Sequence, residues 1–425
     1  MKKVAILGFG AAGYNGACGI RMVDTEAQID VYTCSDTGPH NPMLTTYYIK
    51  NAIPYEAMFP YGTLEDVEKR LNLHVIRCAE VVKLDTKTKT VFTSDGNRSA
   101  YDKILIATGA SAYMPDIVGA DLPNVIVMRS EADAIQLKTL LESGRVRSGL
   151  VVGASWSGIK VAESFVQNGL HCTLMNRSRV SFGNSLYPII AEKVQSHMEQ
   201  CGIELAFGCS LDHIEQRGDG RLAAITQDGR CIMTNVIVMT SGIQPNAGFI
   251  EPGSIAMDRA ICVNNRMETS VPEIYAAGDC CEAFDILSRK SKNIALWLNS
   301  VEQGRTAGLN IAGRPTYFGG NVPVSLGHCL GMDFLTIGDP KASGAHTEEY
   351  TYEKDGLVIC AARQGKTLQC INLIGSALYA GVLKNLFIRS IENPEAEMNA
   401  WTICTLRHYG LPESFINFLG GNSFD

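Results

Sequence analysis

Two glycine-rich turns, each placed directly after a short apolar run, constrain the fold of this chain more than any other feature. The first reads Gly-Phe-Gly-Ala-Ala-Gly at residues 8–13, and the second reads Gly-Ala-Ser-Trp-Ser-Gly at residues 153–158. A helical pattern and another apolar run follow each turn, so both segments predict a strand–turn–helix–strand unit. Such a unit holds a dinucleotide with its pyrophosphate at the helix N-terminus. The recurrence of the unit predicts two dinucleotide sites, or a duplicated fold that retains one.

The glycines of the first turn have separate physical roles. Gly8 permits the tight bend, Gly10 lets the backbone approach a pyrophosphate, and Gly13 lets the helix pack closely on the strand. In the second turn Ser155 replaces the middle glycine. Its small side chain preserves the fold and permits a slightly less close backbone approach.

Further apolar runs end in turns of small residues, at residues 103–110, 236–242 and 274–279. Each lies where the chain, after a strand–turn–helix–strand unit, would add a further strand to the same sheet. From about residue 317 the pattern changes to short strand-like runs with a helix near residues 380–389. The chain is therefore predicted to be of the α/β class, with two Rossmann-like dinucleotide-binding domains, each three layers around a parallel sheet, and a C-terminal α+β domain.

Composition argues against several classes of protein. The net charge of -7 disfavours nucleic acid as the main partner, because phosphate binding requires a basic face. No apolar run approaches the ~20 residues of a membrane span. Two lysines precede the first apolar run, as in a secretion signal, but the glycine pattern favours a buried first strand. The 14 cysteines are scattered without a C-x-x-C pair, which predicts a reducing, cytoplasmic compartment.

Five motifs, in a fixed order, carry a family resemblance. Along the chain stand GFGAAG, ILIATGA, GASWSG, TSGIQPN and IYAAGDC. This order resembles the FAD-dependent pyridine nucleotide-disulfide oxidoreductase superfamily over residues 1 to about 313. More loosely, LQCINLIGSALYAGVLKNLF resembles the C-terminal segment of the rubredoxin-, nitrite- and coenzyme A-disulfide-reductase-like branches.

The resemblance implies a domain organisation and two cofactors. The first turn would hold FAD and the second NAD(P)H, with the NAD(P)H domain interrupting the FAD domain. The implied boundaries are 1–113 with 243–315 for the FAD-binding domain, 114–242 for the NAD(P)H-binding domain and 316–425 for the C-terminal domain. In the disulfide-reductase branches that last domain often forms the dimer contact, so a homodimer is expected.

The resemblance also implies which residues hold FAD. The Asp279 carboxylate would accept hydrogen bonds from the ribityl chain, although a helix N-cap would suit the same position. Thr33 stands where the family has an acidic residue for the adenosine ribose. The implied FAD-binding residues are Gly8, Gly10, Ala11, Ala12, Gly13, Thr33, Thr45, Thr108, Gly109, Gly278 and Asp279.

The nicotinamide nucleotide would be held by a second set of residues. These are Gly153, Ser155, Ser157, Gly158, Asn176, Arg177, Arg179 and Gly242. In the second glycine unit, an acidic residue at the end of the strand that follows the helix would repel a 2′-phosphate. The sequence has Arg177 and Arg179 there and no acid. This favours NADPH over NADH. On the alternative interpretation these arginines lie on a solvated turn.

Residues 38–48, GPHNPMLTTYY, contain no cysteine. The coenzyme A-disulfide reductases and related NADH oxidases have a redox-active Cys at the position of Met43, and the ferredoxin-reductase-like branch has a Lys at that of Thr46. A Met forms no thiolate and no disulfide. The resemblance therefore predicts that electrons leave the reduced flavin without a Cys relay.

Four residues are candidates for catalysis. Lys160 replaces a Glu that the family keeps near the flavin, so it would stabilise an anionic flavin or substrate, or instead pair with Glu163. His40 would transfer protons, or is a solvated loop residue. Met43 and Tyr47 would line a substrate pocket, or Tyr47 would be a core aromatic residue.

These features predict an FAD-dependent NAD(P)H oxidoreductase without a metal site. Its acceptor would be a small organic molecule or a small electron-transfer protein. Two alternatives stay open: a flavin-bearing redox sensor with little turnover, and a thiol/disulfide reductase that uses another cysteine. The candidates for that cysteine are Cys18, Cys329 and the adjacent pair Cys280 and Cys281.

Overall fold

The computed structural model describes residues 2–182, 185–342 and 347–421. The chain forms two compact units, each assembled from separate segments. The first comprises the residues through Tyr113 together with Arg129–Ile135 and Ile243–Asn321. The second comprises Met114–Met128, Gln136–Gly242 and the residues from Val322 onward. The three domain boundaries given by the resemblance stay a prediction.

A five-stranded parallel sheet forms the core of the first unit. Its strands, in spatial order, are Ile274–Ala276, Lys103–Ile106, Lys3–Leu7, Gln28–Tyr32 and His74–Ile76. The central strand is buried from Val4 onward, as expected for an unbroken apolar run covered on both faces. The helices of this unit are Ala11–Arg21, Thr45–Ile49, Leu64–Leu71 and Trp297–Ile311, with a 3₁₀ helix at Tyr55–Met58.

Three smaller sheets belong to the same unit. One is antiparallel and contains Val81–Asp85, Thr90–Thr93 and Arg98–Ala100. Another contains Ile261–Cys262, Cys281–Phe284 and Ser291–Lys292. In the last, Ala110–Ala112 pairs with Ile243–Pro245, which joins the points where the chain leaves and re-enters the unit.

The second unit contains another five-stranded parallel sheet. Its order is Ile203–Phe207, His171–Asn176, Ser148–Val152, Val236–Met239 and Val125–Val127. The helices Trp156–Gln167 and Pro188–Gln200 follow two of these strands, and Glu131–Glu142 has residues in both units. A three-stranded antiparallel sheet contains Leu211–Gln216, Leu222–Thr226 and Cys231–Thr234.

The C-terminal part of this unit has a five-stranded antiparallel sheet. Its order is Val324–Cys329, Met332–Gly338, Thr367–Ile374, Leu357–Gln364 and Thr347–Lys354. Three α-helices follow, Ala380–Glu392, Ala400–His408 and Glu413–Leu419, and short 3₁₀ helices occur at Pro340–Ala342 and Ala377–Tyr379. The predicted α/β class, with two parallel-sheet cores and a C-terminal α+β part, is confirmed. Across the described ranges, no helix combines the length and apolarity required to cross a membrane.

Candidate functional site

The first glycine turn connects the Lys3–Leu7 strand to the Ala11–Arg21 helix. Gly8 has a φ of +94°, and a Cβ there would lie 2.4 Å from the carbonyl oxygen of Ala107. A Cβ on Gly13 would lie 2.2 Å from the carbonyl oxygen of Gly8. Around Gly10, in contrast, the position of a Cβ is open. Packing therefore requires Gly8 and Gly13, whereas Gly10 leaves room for a ligand against the backbone.

The N-terminus of the Ala11–Arg21 helix fits a phosphate. Gly10 caps the helix without a side-chain hydrogen bond, and the first turn carries no acidic residue. The N–H groups of this turn, which begins with Ala11 and Ala12, therefore remain able to donate to an anion. The helix dipole favours negative charge at the same point. These residues fit the pyrophosphate of FAD.

Glycines also set the position of this helix against the Trp297–Ile311 helix. A Cβ on Gly304 would lie 2.2 Å from the carbonyl oxygen of Ala12, and one on Gly308 would lie 2.1 Å from that of Gly16. Only hydrogen at these positions permits the two backbones to approach so closely. The contact at Ala12 lies in the first turn of the helix, so it holds the phosphate-binding end in place.

Asp279 is fixed by two partners from separate parts of the first unit. One carboxylate oxygen pairs with the guanidinium of Arg129, and the other accepts a hydrogen bond from the Ser300 hydroxyl at 3.2 Å. Gly278, with a φ of +86°, donates its N–H to the Gln303 side chain at 2.8 Å. The carboxylate is therefore held near the start of the Trp297–Ile311 helix. The alternative role as a helix N-cap is wrong, because Cys281–Phe284 forms a strand.

Sequence reasoning missed Arg129. It lies 150 residues before Asp279 in the chain, and no glycine turn or spacing pattern marks it. Its backbone N–H donates to the Asp133 carboxylate at 2.9 Å, which also accepts from the N–H of Ser130. This arrangement anchors the start of the Glu131–Glu142 helix within the first unit.

Thr108 and Gly109 lie where the Lys103–Ile106 strand ends. The Thr108 hydroxyl donates to the carbonyl oxygen of Asn246 at 2.6 Å, and the Asn246 side chain donates back to the Thr108 carbonyl oxygen at 3.0 Å. Gly109 has a φ of +64° and open space at the position of a Cβ. This pairing fixes the end of the strand.

The other two threonines of the predicted FAD set are buried. Thr45 donates its hydroxyl hydrogen to the carbonyl oxygen of Pro42 at 2.7 Å. The Thr33 hydroxyl accepts from the N–H of Ser35 at 3.2 Å, and its own hydrogen is not used by that contact. Thr33 is therefore compatible with a hydrogen bond to ribose, whereas Thr45 has only lone pairs to offer.

His40 is held by an acid that lies far away in the sequence. Its Nδ1 lies 3.2 Å from the Glu131 carboxylate, which also accepts from the hydroxyls of Thr37 and Ser35. Burial lowers the pKa of His40, against the opposing effect of Glu131. Its Nε2 is buried and has no hydrogen-bond partner in the described part of the chain. The interpretation as a solvated loop residue is therefore wrong, and the unsatisfied nitrogen fits a group that binds there.

Met43 and Tyr47 are more accessible. The Met43 side chain is 63% exposed, and its backbone N–H donates to the Asn41 side chain at 3.0 Å. The ring of Tyr47 lies 4.7 Å from the ammonium of Lys50 and is only partly buried, so it is not a core aromatic residue. Their accessibility fits a substrate wall, which stays a prediction.

The second glycine turn has the same construction within the second unit. Gly153 has a φ of +112°, and a Cβ there would lie 2.7 Å from the carbonyl oxygen of Thr240. A Cβ on Gly158 would lie 1.8 Å from the carbonyl oxygen of Gly153. Ser155 caps the helix by accepting from the N–H of Gly158 at 3.4 Å, so the helix begins at Trp156.

This second helix N-terminus also fits a phosphate. The first turn of the Trp156–Gln167 helix carries no acidic residue, and Ser157 is exposed there. The Ser155 side chain already accepts from one N–H group of this helix, so fewer N–H donors remain here than at the N-terminus of the Ala11–Arg21 helix. Gly242, which ends the middle segment of this unit, has a φ of +140° and open space at the position of a Cβ. The residues fit the pyrophosphate of NAD(P)H.

Asn176 links the second glycine turn to the arginine-containing loop. Its side-chain oxygen accepts from the N–H of Ala154 at 3.3 Å, and its amide donates to the carbonyl oxygen of Val180 at 2.8 Å. Arg177 and Arg179 are both exposed. In the described ranges neither guanidinium makes an ion pair or a hydrogen bond. Both charges are therefore available to an anion.

Lys160 pairs with Glu163 in the second unit. The ammonium lies 2.6 Å from the Glu163 carboxylate and also donates to the carbonyl oxygen of His328. Glu163 is fully buried and accepts from the N–H of Leu330 at 3.2 Å. The expected ion pair is present, but Glu163 is not a surface acid, because the turn at residues 329–331 lies against it. A role of Lys160 toward the flavin stays a prediction.

Several cysteines considered for thiol chemistry are poor nucleophiles. Cys280 and Cys281 are buried, and each thiol donates to a backbone carbonyl oxygen at 3.3 Å. Burial raises the pKa of both thiols, and of the Cys18 thiol. Cys329 is also buried. A buried thiol with a raised pKa is rarely ionised, so it reacts slowly.

Comparison with known proteins places the chain in one family. The family model for pyridine nucleotide-disulphide oxidoreductases matches residues 2–304. An NADH oxidase of Methanocaldococcus jannaschii is 30% identical over 316 residues, which are 73% of this chain and 70% of the relative. An NAD(P)H sulfur oxidoreductase (CoA-dependent) of Pyrococcus abyssi is 29% identical over 75% of this chain and 71% of the relative.

A solved structure has the same fold over most of the chain. In the covalent complex of putidaredoxin reductase with putidaredoxin, the matched chain has a TM-score of 0.83 and 19% identity. The match covers 91% of this chain and 93% of that one. The fold, the two glycine turns and the family match agree. This chain belongs to the pyridine nucleotide-disulphide oxidoreductase family and is an NAD(P)H-dependent FAD oxidoreductase.

Proposed function

We propose that this enzyme passes electrons from NAD(P)H through FAD directly to a small electron-transfer protein, without a cysteine relay. The observation that carries the proposal is Met43, an exposed thioether at the position where the resemblance places a redox-active thiol. A Met cannot form the thiolate or disulfide that a relay requires. The buried thiols of Cys280 and Cys281 do not replace it, because their raised pKa values disfavour the reactive form.

The residues of the first unit hold FAD in this proposal. The turn at residues 8–13 binds the pyrophosphate through the backbone N–H groups at the helix N-terminus. Asp279, held by Arg129 and Ser300, accepts hydrogen bonds from the ribityl hydroxyls. Thr33 donates to the adenosine ribose. When bound, the flavin supplies the hydride and electron chemistry that the side chains lack.

His40 has a separate role as a neutral hydrogen-bonding group. Glu131 faces Nδ1, which favours the tautomer with hydrogen on that nitrogen. Nε2 then carries a lone pair and accepts a hydrogen bond from a bound group. The lowered pKa keeps the ring neutral near pH 7, so it can also take up a proton.

The nucleotide is proposed to be NADPH. Arg177 and Arg179 follow the His171–Asn176 strand, at the position where nucleotide-binding units read the 2′ substituent. Their charges are exposed and unused within the described residues. A guanidinium binds phosphate oxygens with charge-assisted hydrogen bonds, whereas it gains little from a 2′-hydroxyl.

A protein acceptor is supported by the relatives as well as by the missing thiol. Putidaredoxin reductase forms the covalent complex described above with its partner putidaredoxin. A curated relative of Vibrio vulnificus is named as a nitric oxide reductase FlRd-NAD(+) reductase. The sulfur oxidoreductase of Pyrococcus abyssi favours the competing proposal of a disulfide or persulfide acceptor.

We further propose a cytoplasmic homodimer that uses the C-terminal part as its contact. Trp401 and Leu378 expose 82% and 67% of their surface, so this part offers apolar surface to a contact. Light scattering at micromolar concentration, with Trp401→Glu as the variant, measures the oligomeric state. A monomeric wild-type protein would contradict the dimer.

The acceptor is tested by steady-state oxidation of NADPH with ferredoxin, rubredoxin, quinones and disulfides. We expect an electron-transfer protein to accelerate the reaction, and we expect the rate to survive alkylation of the reduced enzyme by N-ethylmaleimide. A rate that only disulfides accelerate, and that alkylation abolishes, would establish a thiol relay instead. If no acceptor accelerates oxidation beyond the slow reaction with oxygen, the reductase proposal is wrong.

A further inference from the structure

Cys34 and Cys78 lie next to each other at the end of two neighbouring strands. The strands Gln28–Tyr32 and His74–Ile76 are parallel, and Tyr32 pairs with Ile76. Both cysteines follow their strands by two residues, and both are exposed. The parallel register therefore brings them together although 44 positions of the sequence numbering separate them.

The backbone hydrogen bonds extend this pairing beyond the strands. Thr33 donates its N–H to the carbonyl oxygen of Ile76 at 3.1 Å, and its carbonyl oxygen accepts from the N–H of Ala79 at 2.9 Å. In a regular parallel pair of strands, the carbonyl oxygen of Thr33 would accept a hydrogen bond from the N–H of Cys78 instead of Ala79. One extra residue is thus inserted, so that Arg77 and Cys78 both lie opposite Thr33, which is a β-bulge.

The bulge places Cys78 diagonally across from Cys34. In regular strands that lie ~4.8 Å apart and rise ~3.3 Å per residue, a diagonal pair of Cα atoms is separated by about 6 Å. Disulfide-bonded cysteines have Cα separations of about 4.4–6.8 Å. The Cys34 thiol also points toward the bulge, because its Sγ lies 3.8 Å from the carbonyl oxygen of Ala79.

Two further observations concern the bulge itself. Cys78 has a φ of +50°, a conformation that non-glycine residues rarely adopt. Burial raises the pKa of the Cys34 thiol, and the charges of Glu80 and Cys78 add to the effect, so the first attack on an external disulfide is assigned to the exposed Cys78. The charge effect of Cys78 on Cys34 acts through space and agrees with the position of both residues at neighbouring strand ends.

We propose that Cys34 and Cys78 form an exposed dithiol site that reacts with low-molecular-weight disulfides to give an intrachain disulfide. One thiolate attacks a sulfur of the external disulfide, the S–S bond breaks, and one thiol leaves. The second thiolate then attacks the sulfur of the mixed disulfide, and the other thiol leaves. The two cysteines lose two electrons and two protons, which the external disulfide gains.

The site lies beside the proposed FAD site but does not depend on it. Thr33, the proposed ribose contact, lies opposite the bulge and forms the backbone hydrogen bonds on either side of it. Oxidation would therefore cross-link the chain at the adenosine end of the cofactor site. Only this location relative to FAD rests on the proposed function, since the dithiol chemistry needs no flavin.

The test exposes the full-length, flavin-loaded protein to glutathione disulfide, quenches it with N-ethylmaleimide and maps the cysteine-containing peptides by mass spectrometry. In the wild type we expect a peptide that joins residues 34 and 78 and no glutathione on either. In Cys34→Ser and Cys78→Ser, the remaining cysteine should keep glutathione, because no neighbouring thiol displaces it. Cys231→Ser, which removes another exposed thiol, is the matched control and should preserve the cross-link.

The wild-type protein alone decides the proposal if a variant does not fold. Stable glutathione adducts on Cys34 or Cys78 in the wild type, without the joined peptide, would overturn it. So would the absence of any reaction at both residues, with Cys231 modified under the same conditions. Loss of NADPH oxidation would not bear on the result, because the readout is the cross-link.

Discussion

Replacing Gly304 by Ala tests how closely the two helices around the proposed FAD turn must pack. The added Cβ would lie 2.2 Å from the carbonyl oxygen of Ala12 and 2.8 Å from its carbonyl carbon. Non-bonded heavy atoms attract at about 3.5–4.0 Å, so this contact is strongly repulsive. Both atoms belong to the backbone of the Ala11–Arg21 helix, so no side-chain rotation relieves the clash.

The expected magnitude is the difference of two effects. Overpacking at a well-packed contact costs about 1–3 kcal/mol. Ala is favoured over Gly inside a helix by about 0.8–1.0 kcal/mol, which offsets part of this cost. A clash with fixed backbone atoms lies at the upper end of that cost, so we expect Gly304→Ala to lower the free energy of unfolding by about 2 kcal/mol. Because the contact lies in the first turn, FAD affinity should also fall.

Gly381→Ala is the matched control. Gly381 lies in the Ala380–Glu392 helix, and a Cβ there would meet no atom within 4 Å. Only the helix propensity acts, so this variant should be stabilised by up to about 1 kcal/mol. Urea unfolding followed by flavin fluorescence, with a flavin titration of the apoprotein, measures both quantities. A Gly304→Ala protein with the stability of Gly381→Ala and wild-type FAD affinity would refute the reasoning.

Three further predictions concern charged groups. Folding lowers the pKa of His40, so the unfolded chain binds more protons than the folded chain near that pKa. The free energy of unfolding should therefore fall as the pH drops below about 6.5. In urea unfolding at several pH values, His40→Asn should flatten that dependence. Arg177→Ala should raise KM for NADPH by about ten- to a hundredfold and leave KM for NADH unchanged in initial-rate assays, since a charged hydrogen bond contributes about 1.5–3 kcal/mol. Equal changes for both nucleotides would contradict the 2′-phosphate contact. Lys160→Met should lower the free energy of unfolding by about 3 kcal/mol, because Glu163 is left buried without its cation. The double variant Lys160→Met, Glu163→Gln should recover part of this loss, because the buried charge is also removed.

The sequence allowed the fold to be predicted because its signals are local. Each glycine turn directly follows an apolar run. Backbone atoms of the same unit leave no room for a Cβ at Gly8, Gly13, Gly153 and Gly158. The strand and helix periodicities needed no long-range information. The start of the second helix is set by the side-chain cap of Ser155, a contact that the apolar pattern does not show.

The electrostatic partners of the candidate sites could not be predicted in the same way. Arg129 meets Asp279, and Glu131 meets His40, only because the fold returns distant segments to one unit. Nothing in the local sequence around these residues shows the pairing. The Lys160–Glu163 pair, in contrast, is three residues apart on one helix, and its spacing alone made it foreseeable.

The Cys34–Cys78 pair shows why a count of cysteines is insufficient. Both residues lack a C-x-x-C spacing, and each looks like an isolated thiol in the sequence. Their proximity follows from the register of two parallel strands and from one inserted residue. Register becomes visible only when the sheet order is known.

Anaerobic titration of the flavin-loaded enzyme with NADPH tests the central claim most directly. We expect reduction to be complete after two electrons per FAD, with no thiol becoming newly reactive toward N-ethylmaleimide at that point. The reduced enzyme should then transfer both electrons to an electron-transfer protein. Uptake of four electrons per FAD, with two thiols other than Cys34 and Cys78 appearing during the titration, would show a redox-active disulfide in the electron path and would contradict this claim.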